Sequence, residues 1–256
     1  MKPQSLNRRQ WLKTGALALG AVAVTPQSLW SKTVEEAQNN NRRFLYTHSS
    51  FNEFTPPKFP DLNTVRARLV WNENPHGPSK KAAAAFQEAV FDGNHYSWGS
   101  LEELVEKIAA YEGVETNQIM MGPGSSDLLE KTAMVLFQEG GNVISADPSY
   151  MSLVSVAKAA GGKWKSVKLT PDYQHDLEAM EAAIDDDTKL VYITNPNNPT
   201  ATITDTKKLY DFCDRVSDRV PVFIDEAYIE LSDGGMANSM APLVAKGKDV
   251  YVSRTF

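Results

Sequence analysis

The chain has 256 residues, 42% of them hydrophobic and 23% charged, enough apolar content for a sizeable core and far from a disordered composition. A net charge of -6 and a pI near 5.3, with no basic stripe, exclude a general nucleic-acid binder and favour small-molecule partners. A single cysteine, Cys213, rules out an internal disulfide and any CxxC metal site, and the four histidines lack HExxH spacing, so no metal centre is expected.

The first residues differ in kind from the rest. Asn7-Arg8-Arg9-Gln10-Trp11-Leu12-Lys13 leads into an apolar run from Thr14 to Val24, shorter than the roughly 20 residues that span a bilayer. No stable membrane span is expected from it. Gly15, Gly20 and Pro26 punctuate the run and no charge lies between Lys13 and Lys32, which argues against an amphipathic first helix of the fold. The pattern resembles a twin-arginine export signal, so residues 1–31 read as a signal peptide and the protein as periplasmic or otherwise exported. Either Ala21-Val22-Ala23 or the stretch from Ser28 to Lys32 offers a cleavage site. Residues 32–67 are polar, carry Asn39-Asn40-Asn41 and Pro56-Pro57-Lys58-Phe59-Pro60, and read as an extended arm or linker.

From Arg68 the chain alternates regularly. Arg68-Leu69-Val70-Trp71 reads as a short strand running into the Pro- and Gly-bearing loop Asn72 to Pro78, after which Ser79 caps a helix from Lys80 to Val90. A loop from Asp92 to Gly99 precedes an amphipathic helix from Ser100 to Tyr111, with Leu101, Leu104, Val105 and Ile108 on one face. Then come strand Gln118–Met121, helix Ser125–Phe137, strand Asn142–Ala146, helix Ser149–Ala160 and strand Lys163–Leu169. Helix Leu177–Ile184, strand Leu190–Thr194, helix Asp205–Val216, strand Pro221–Ile224 and strand Val250–Ser253 complete the series. Strands separated by helical patterns imply βαβ units and a mostly parallel sheet, an α/β fold. Asp185-Asp186-Asp187 reads as a solvated helix end, because it lacks the Gly and Asx spacing of a calcium loop, and Cys213 reads as a packing residue.

The polar residues that carry chemistry fall at strand ends. Met121-Gly122-Pro123-Gly124-Ser125-Ser126-Asp127 joins a strand to a helix and leaves backbone amides at the helix entrance, where the macrodipole adds about 0.5 to 1 kcal/mol for an anion. An ordinary helix capped by Ser125 or Ser126 explains the same residues. Asp147-Pro148-Ser149-Tyr150 follows the next strand, with Tyr150 placed either to stack on a planar ring or to fill the core. Thr194-Asn195-Pro196-Asn197-Asn198-Pro199-Thr200 follows a third, its amides stiffened by two prolines. Val222-Phe223-Ile224-Asp225-Glu226-Ala227-Tyr228 ends a fourth with a carboxylate, Asp225, suited either to a cationic ligand group or to capping a short helix. An anion cup, an aromatic plate, an amide, a carboxylate and the Tyr228 hydroxyl on one sheet edge suit a planar phosphorylated pyridine, pyridoxal 5′-phosphate.

The ordered series Asn-Glu-Asn-Pro-x-Gly-Pro, Gly-Ser-Ser-Asp, Asp-Pro-x-Tyr, Asn-Pro-Asn-Asn-Pro-Thr, Asp-Glu-Ala-Tyr and Ser-Arg-Thr-Phe resembles the class I/II pyridoxal-phosphate-dependent aminotransferases of fold type I, nearest the histidinol-phosphate branch. The resemblance covers Arg68 to Phe256 and implies an α/β/α sandwich that forms the cofactor-binding large domain, residues 68–256. It implies that Asp225 pairs with the pyridinium nitrogen, that Tyr228 and Asn198 bond the phenolate oxygen, and that Tyr150 stacks on the ring. Gly124, Ser125, Ser126 and Thr255 would hold the phosphate, with Tyr96 reaching the phosphate of a neighbouring subunit in a homodimer. Asn72, Asn74 and Gly77 would line the substrate entrance, and an amino acid and a 2-oxo acid would be the substrates.

Two departures stand out. Ala201 replaces the family's glycine after Asn198-Pro199-Thr200. The family's Schiff-base lysine, its later phosphate contacts and its carboxyl-terminal small domain follow the match to Ser253-Arg254-Thr255-Phe256, where this sequence stops, so the chain reads as a fragment inactive by itself. The visible motifs bind cofactor without choosing the bond broken, which leaves a lyase or decarboxylase on this fold, or a non-catalytic binding protein on a degenerate scaffold, as alternatives.

Overall fold

The computed structural model describes residues 65–66, 72–74 and 76–255. The export signal, nearly all of the arm, the strand expected at Arg68–Trp71 and Phe256 lie outside the described residues. The chain divides into two compact units, residues 1–84 and 85–256. In the first, the described backbone after Asn72 turns at Asn74, whose Nδ2 donates to the Gly77 carbonyl at 2.9 Å while its Oδ1 accepts from the His76 amide at 3.0 Å.

The second unit is built on five parallel strands, β1 (Asn142–Asp147), β2 (Lys163–Lys168), β3 (Thr188–Thr194), β4 (Val222–Asp225) and β5 (Val250–Ser253), in the order β2-β1-β3-β4-β5. The helices are α1 (Lys80–Ala89), α2 (Trp98–Glu112), α3 (Ser125–Leu136), α4 (Ser152–Ala159), α5 (Leu177–Ala182), α6 (Thr206–Val216) and α7 (Ala241–Ala245). Because side chains alternate across a strand, the apolar strands feed two cores. Ile144, Val191, Ile193, Val222 and Ile224 pack with Met180 of α5, Leu209, Phe212, Cys213 and Val216 of α6, and Leu243 of α7. Their sequence neighbours Val143, Leu190, Tyr192 and Phe223 pack on the other face with Leu129 and Ala133 of α3 and Leu153, Val154 and Ala157 of α4. Both faces of the sheet are therefore covered, the three-layer α/β/α arrangement that near-continuous apolar strands require.

The strand order reverses direction once. The chain runs outward from β1 to β2, then returns to β3 on the other side of β1, which makes the carboxyl ends of β1 and β3 a topological switch point. There α4 leaves toward one face and α6 toward the other.

Several boundaries differ from the sequence expectation. Residues 119–121 form no strand; a 3-10 turn at Thr116–Gln118 precedes them, and Ile119 is extended but has no ladder partner among the described residues. The helix expected from Ser149 starts at Ser152, because Pro148 and Ser149 belong to the turn that leaves β1. Helix α2 starts at Trp98 rather than Ser100. Two 3-10 turns, Ile229–Leu231 and Gly235–Asn238, and the short helix α7 were absent from the expectation, being too short for a periodic apolar signal. Asp205 and Asp176 cap α6 and α5, accepting from the Lys208 amide at 2.8 Å and the Ala179 amide at 3.0 Å.

Candidate functional site

Tyr150, Asn198, Asp225, Tyr228 and Thr255 lie at or just beyond strand ends along the carboxyl edge of the sheet, and Ser126 reaches that edge through Tyr150. The site's first component is the entrance of α3. Gly124 is the N-cap, with φ +94, and contributes no side-chain cap; Ser125 and Ser126 occupy the first helical positions instead of capping. The first-turn amides are thus left without a side-chain acceptor, the arrangement that receives an anion. Gly124 spends its own amide on the Gly122 carbonyl at 2.8 Å, so it shapes the turn. At Gly122 a Cβ would crowd the ends of two side chains, Leu128 Cδ2 at 2.9 Å and Asp127 Oδ2 at 3.0 Å, which would have to shift to admit it.

Tyr150 ties this entrance to the next loop. It is half-buried, packs against the core beside α3 and α4, and its hydroxyl lies 3.4 Å from Ser126 Oγ. Its loop is joined to the one after β3 across the switch point. Buried Ser149 donates to Asn197 Oδ1 at 2.8 Å, and Asn197 Nδ2 donates to the Pro148 carbonyl at 3.2 Å and to Thr200 Oγ1 at 2.8 Å. Asn198, half-buried, is carried at the centre of that braced loop. The loop's far end is held by Asn195, whose Oδ1 accepts from the Thr204 amide at 2.8 Å, and by His175, whose Nδ1 is 3.0 Å from Thr204 Oγ1. His175 is 3% exposed and its Nε2 has no partner among the described residues; burial holds its pKa down at about 4. Ala201 has φ +56, so the chain keeps a left-handed turn at the position where an L-residue is disfavoured.

Asp225 closes the site. Thr194, Asp225 and Ser253 are register partners at the carboxyl ends of three adjacent strands. Asp225 is 3% exposed and accepts from Ser253 Oγ at 2.8 Å on Oδ1, from the Tyr192 hydroxyl at 3.3 Å on Oδ2, and from the Ala227 amide. No cation among the described residues lies within ion-pair distance of it. Burial pushes its pKa above the usual carboxylate value, while the bonds from Ser253, Ala227 and Tyr192 pull the other way. The alternative of Asp225 as a helix cap does not hold, since Tyr228 is the N-cap of the turn that follows. A buried carboxylate supplied with neutral donors and no counter-charge suits a ligand that brings its own positive charge.

Tyr228 is half-buried, three residues beyond Asp225, and its carbonyl accepts from the Leu231 amide at 3.0 Å. Thr255 is exposed just past β5. Tyr96 is 90% exposed, its ring 6.3 Å from that of Trp98. Asn72, with φ 54, Asn74 and Gly77 are exposed and belong to the first unit.

Sequence reasoning passed over several residues here. Tyr192, Ser253 and Thr194 bond around Asp225, and Ser149 with Asn197 bridges the loops; the common strand ends of Thr194, Asp225 and Ser253 were the available signal. Beside the site, Glu226 is 1% exposed, accepts from the Met240 amide at 2.7 Å and lies 3.3 Å from Arg254 Nη2. Arg254 Nη2 also bonds Glu112 at 3.0 Å. Burial outweighs the arginine and lifts Glu226 to a pKa of about 7. Away from the site, Cys213 is buried among the residues of one core, where burial pushes its thiol up.

A charge-free set of donors around a buried carboxylate, a helix entrance without a side-chain cap, and an aromatic beside that entrance are the kinds of group that a planar ligand with an anionic group and a cationic ring atom would need. Residues 67–256 match the family described as aminotransferase class I and II, and the chain belongs to that family. It is 38% identical over 189 residues to histidinol-phosphate aminotransferase 2 of Pseudomonas fluorescens (strain Pf0-1), a match covering 74% of this chain and 51% of that protein. It is 34% identical over 213 residues to the aromatic amino acid aminotransferase of Rhodococcus opacus (strain B4), covering 79% of this chain and 59% of that one. The fold superposes with a TM-score of 0.66 on histidinol-phosphate aminotransferase from Sinorhizobium meliloti, solved in complex with pyridoxal-5′-phosphate, at 24% identity over 73% of this chain and 50% of that one. The chain spans about half the length of the curated histidinol-phosphate aminotransferases it matches.

Proposed function

We propose that this protein is a pyridoxal-phosphate-dependent aminotransferase that moves an amino group from an amino acid or related amine to a 2-oxo acid. The observation that carries the proposal is Asp225, buried at a strand end with three neutral donors and, among the described residues, no cation paired with it. Bound pyridoxal phosphate supplies a pyridinium ring that draws off the electron pair left when a substrate loses its α-proton. Asp225, as a carboxylate, holds the proton on the ring nitrogen, a charge-assisted bond worth about 1.5 to 3 kcal/mol. The first-turn amides and hydroxyls of Ser125 and Ser126, with Thr255, hold the phosphate at the entrance of α3. Tyr150 covers the ring, and Asn198 and Tyr228 donate to its phenolate oxygen, Asn198 from a loop braced through Asn197 and Ser149.

The reading is tested by supplying amino donors together with 2-oxo acids and following product amino acids. In the full-length protein, amino transfer that requires the 2-oxo acid, and that falls to background in Asp225→Ala, is the expected result. Release of ammonia or carbon dioxide without any 2-oxo acid would assign the protein to the lyases or decarboxylases instead.

We further propose that the protein is exported by the twin-arginine route, on the strength of Arg8-Arg9 and the apolar run to Val24. Replacing both arginines by lysine is expected to leave the protein in the cytoplasm of a bacterial host. We also propose a homodimer in which Tyr96, 90% exposed, contributes to the neighbouring subunit's phosphate site. Sedimentation at a single-chain mass with cofactor bound would refute it.

A further inference from the structure

The Asp225 carboxylate is held by strand register as well as by its own backbone. Tyr192 lies two residues before Thr194 on β3, so both side chains leave the same face of the sheet. Thr194 Oγ1 donates to the Tyr192 hydroxyl at 3.2 Å, which leaves the tyrosine proton to go to Asp225 Oδ2 at 3.3 Å. On the opposite side Ser253, the register partner of Asp225 on β5, donates to Oδ1 at 2.8 Å. Each carboxylate oxygen thus receives one side-chain hydroxyl, and the plane of the group is set from two neighbouring strands.

The donors themselves cannot swing away. Tyr192 is fully buried and meets the ring of its register partner Phe223 edge-on at 6.1 Å between centroids. Ser253 is 3% exposed. Their neutrality matters as much as their position. A lysine or arginine in their place would stabilise the carboxylate but cancel the charge that a cationic ring atom needs. The one cation adjacent in sequence, Arg254, is drawn off to Glu112 and Glu226 at 3.0 and 3.3 Å.

We propose that Tyr192 and Ser253 are positioning residues for cofactor binding: their hydroxyls hold the Asp225 carboxylate in one orientation and in its charged form, ready for a protonated ring nitrogen. This rests on the cofactor assignment above. Asp225 does the contacting; Tyr192 and Ser253 act through it, and Thr194 orients Tyr192.

The test uses two readouts on the whole chain. Carboxyl-13C-labelled aspartate, with Asp225 assigned by its disappearance in Asp225→Asn, reports the titration of that one group. Calorimetry with pyridoxamine 5′-phosphate, which needs no covalent attachment, reports affinity. Tyr192→Phe and Ser253→Ala are each expected to move the Asp225 titration to higher pH and to weaken binding roughly tenfold, as loss of one hydrogen bond to a charge does. Ser253→Thr, which keeps the hydroxyl, is expected to behave like the wild type. In an Asp225→Asn background the same substitutions are expected to leave affinity nearly unchanged. A merely structural role would weaken binding equally in both backgrounds and leave the Asp225 titration where it was, and either result overturns the proposal. If Tyr192→Phe does not fold, the two Ser253 variants decide. If the full-length wild-type protein binds no pyridoxamine 5′-phosphate, the cofactor assignment fails, while the carboxyl titration still decides whether the two hydroxyls hold Asp225.

Discussion

Two aspartates at opposite edges of the same sheet show what environment does to one side chain. Asp185, before β3 at the amino edge, has a half-exposed side chain and is ion-paired with Lys165. It also accepts from Asn142 Nδ2 at 2.8 Å and Thr188 Oγ1 at 2.9 Å, so it ties together residues of β1, β2 and β3. The bonds from Lys165, Asn142 and Thr188 hold its carboxyl well below the usual range. Asp225, at the carboxyl edge, is buried, has only neutral donors, and has its pKa pushed up. Asp185 is satisfied by the protein's own charges and is a strut. Asp225 is a buried carboxylate with no protein counter-charge among the described residues, an arrangement that a cationic ligand group would complete.

The largest expected effect breaks that comparison directly. Asp225→Ala is expected to weaken pyridoxamine 5′-phosphate binding by about 3 to 5 kcal/mol, roughly two to four orders of magnitude, because it leaves the ring cation buried and unpaired. Asp185→Ala is expected to lower the thermal midpoint and leave affinity unchanged. Comparable loss of affinity in both variants would remove the distinction.

Burial also predicts a pH signature from two groups that resist charging. His175 has its pKa depressed from 6.5 to about 4, so its contribution to stability is present above pH 6.5 and is lost as pH falls through about 4. Glu226 has its pKa raised from 4.5 to about 7, so its contribution is present below pH 4.5 and is lost as pH rises through about 7. Between roughly pH 4.5 and 6.5 the two slopes oppose each other and nearly cancel. Relative to the wild type, Glu226→Gln is expected to gain stability as pH rises across that window, and His175→Asn to lose it, by up to about 3 kcal/mol in each case. Urea midpoints at several pH values measure both, and parallel curves for all three proteins would contradict the assignment of either shift to burial.

The smallest effect concerns the loop that carries Asn198. Ala201→Gly is expected to stabilise the protein by about 0.5 to 1 kcal/mol, the relief of an L-residue in a left-handed conformation less the extra chain entropy of glycine in the unfolded state. Chemical denaturation reads this, and a destabilised variant would show that the turn does not need the conformation.

These contrasts also explain what could be read from residues alone. β5 was expected at Val250–Ser253 and is found there, while β3 starts two residues before the expected Leu190, because Thr188 and Lys189 are polar residues at the strand's entrance. The apolar runs declare themselves through alternation, and the Asn- and Pro-rich loops through turn chemistry. The expected strand at Gln118–Met121 is not found: residues 119–121 have no ladder partner among the described residues, and local apolar character alone builds no ladder. Tyr192 was invisible for a different reason. A tyrosine inside an apolar strand looks like packing, and its partner on β4 is set by register between segments about thirty residues apart, which no local pattern encodes. Ala201 was visible as a departure from the family, but only the backbone shows that the turn kept its shape at the cost of strain.

The most direct measurement of the central claim is the protonation state of the ring that Asp225 is proposed to meet. Nitrogen NMR of pyridoxamine 5′-phosphate labelled at the ring nitrogen, bound to the wild-type chain and to Asp225→Ala, reports it without any turnover. The wild type is expected to keep that nitrogen protonated at pH values where the free molecule has lost its proton, and Asp225→Ala to abolish the difference. A bound ring nitrogen that loses its proton at the same pH as the free molecule would contradict the account.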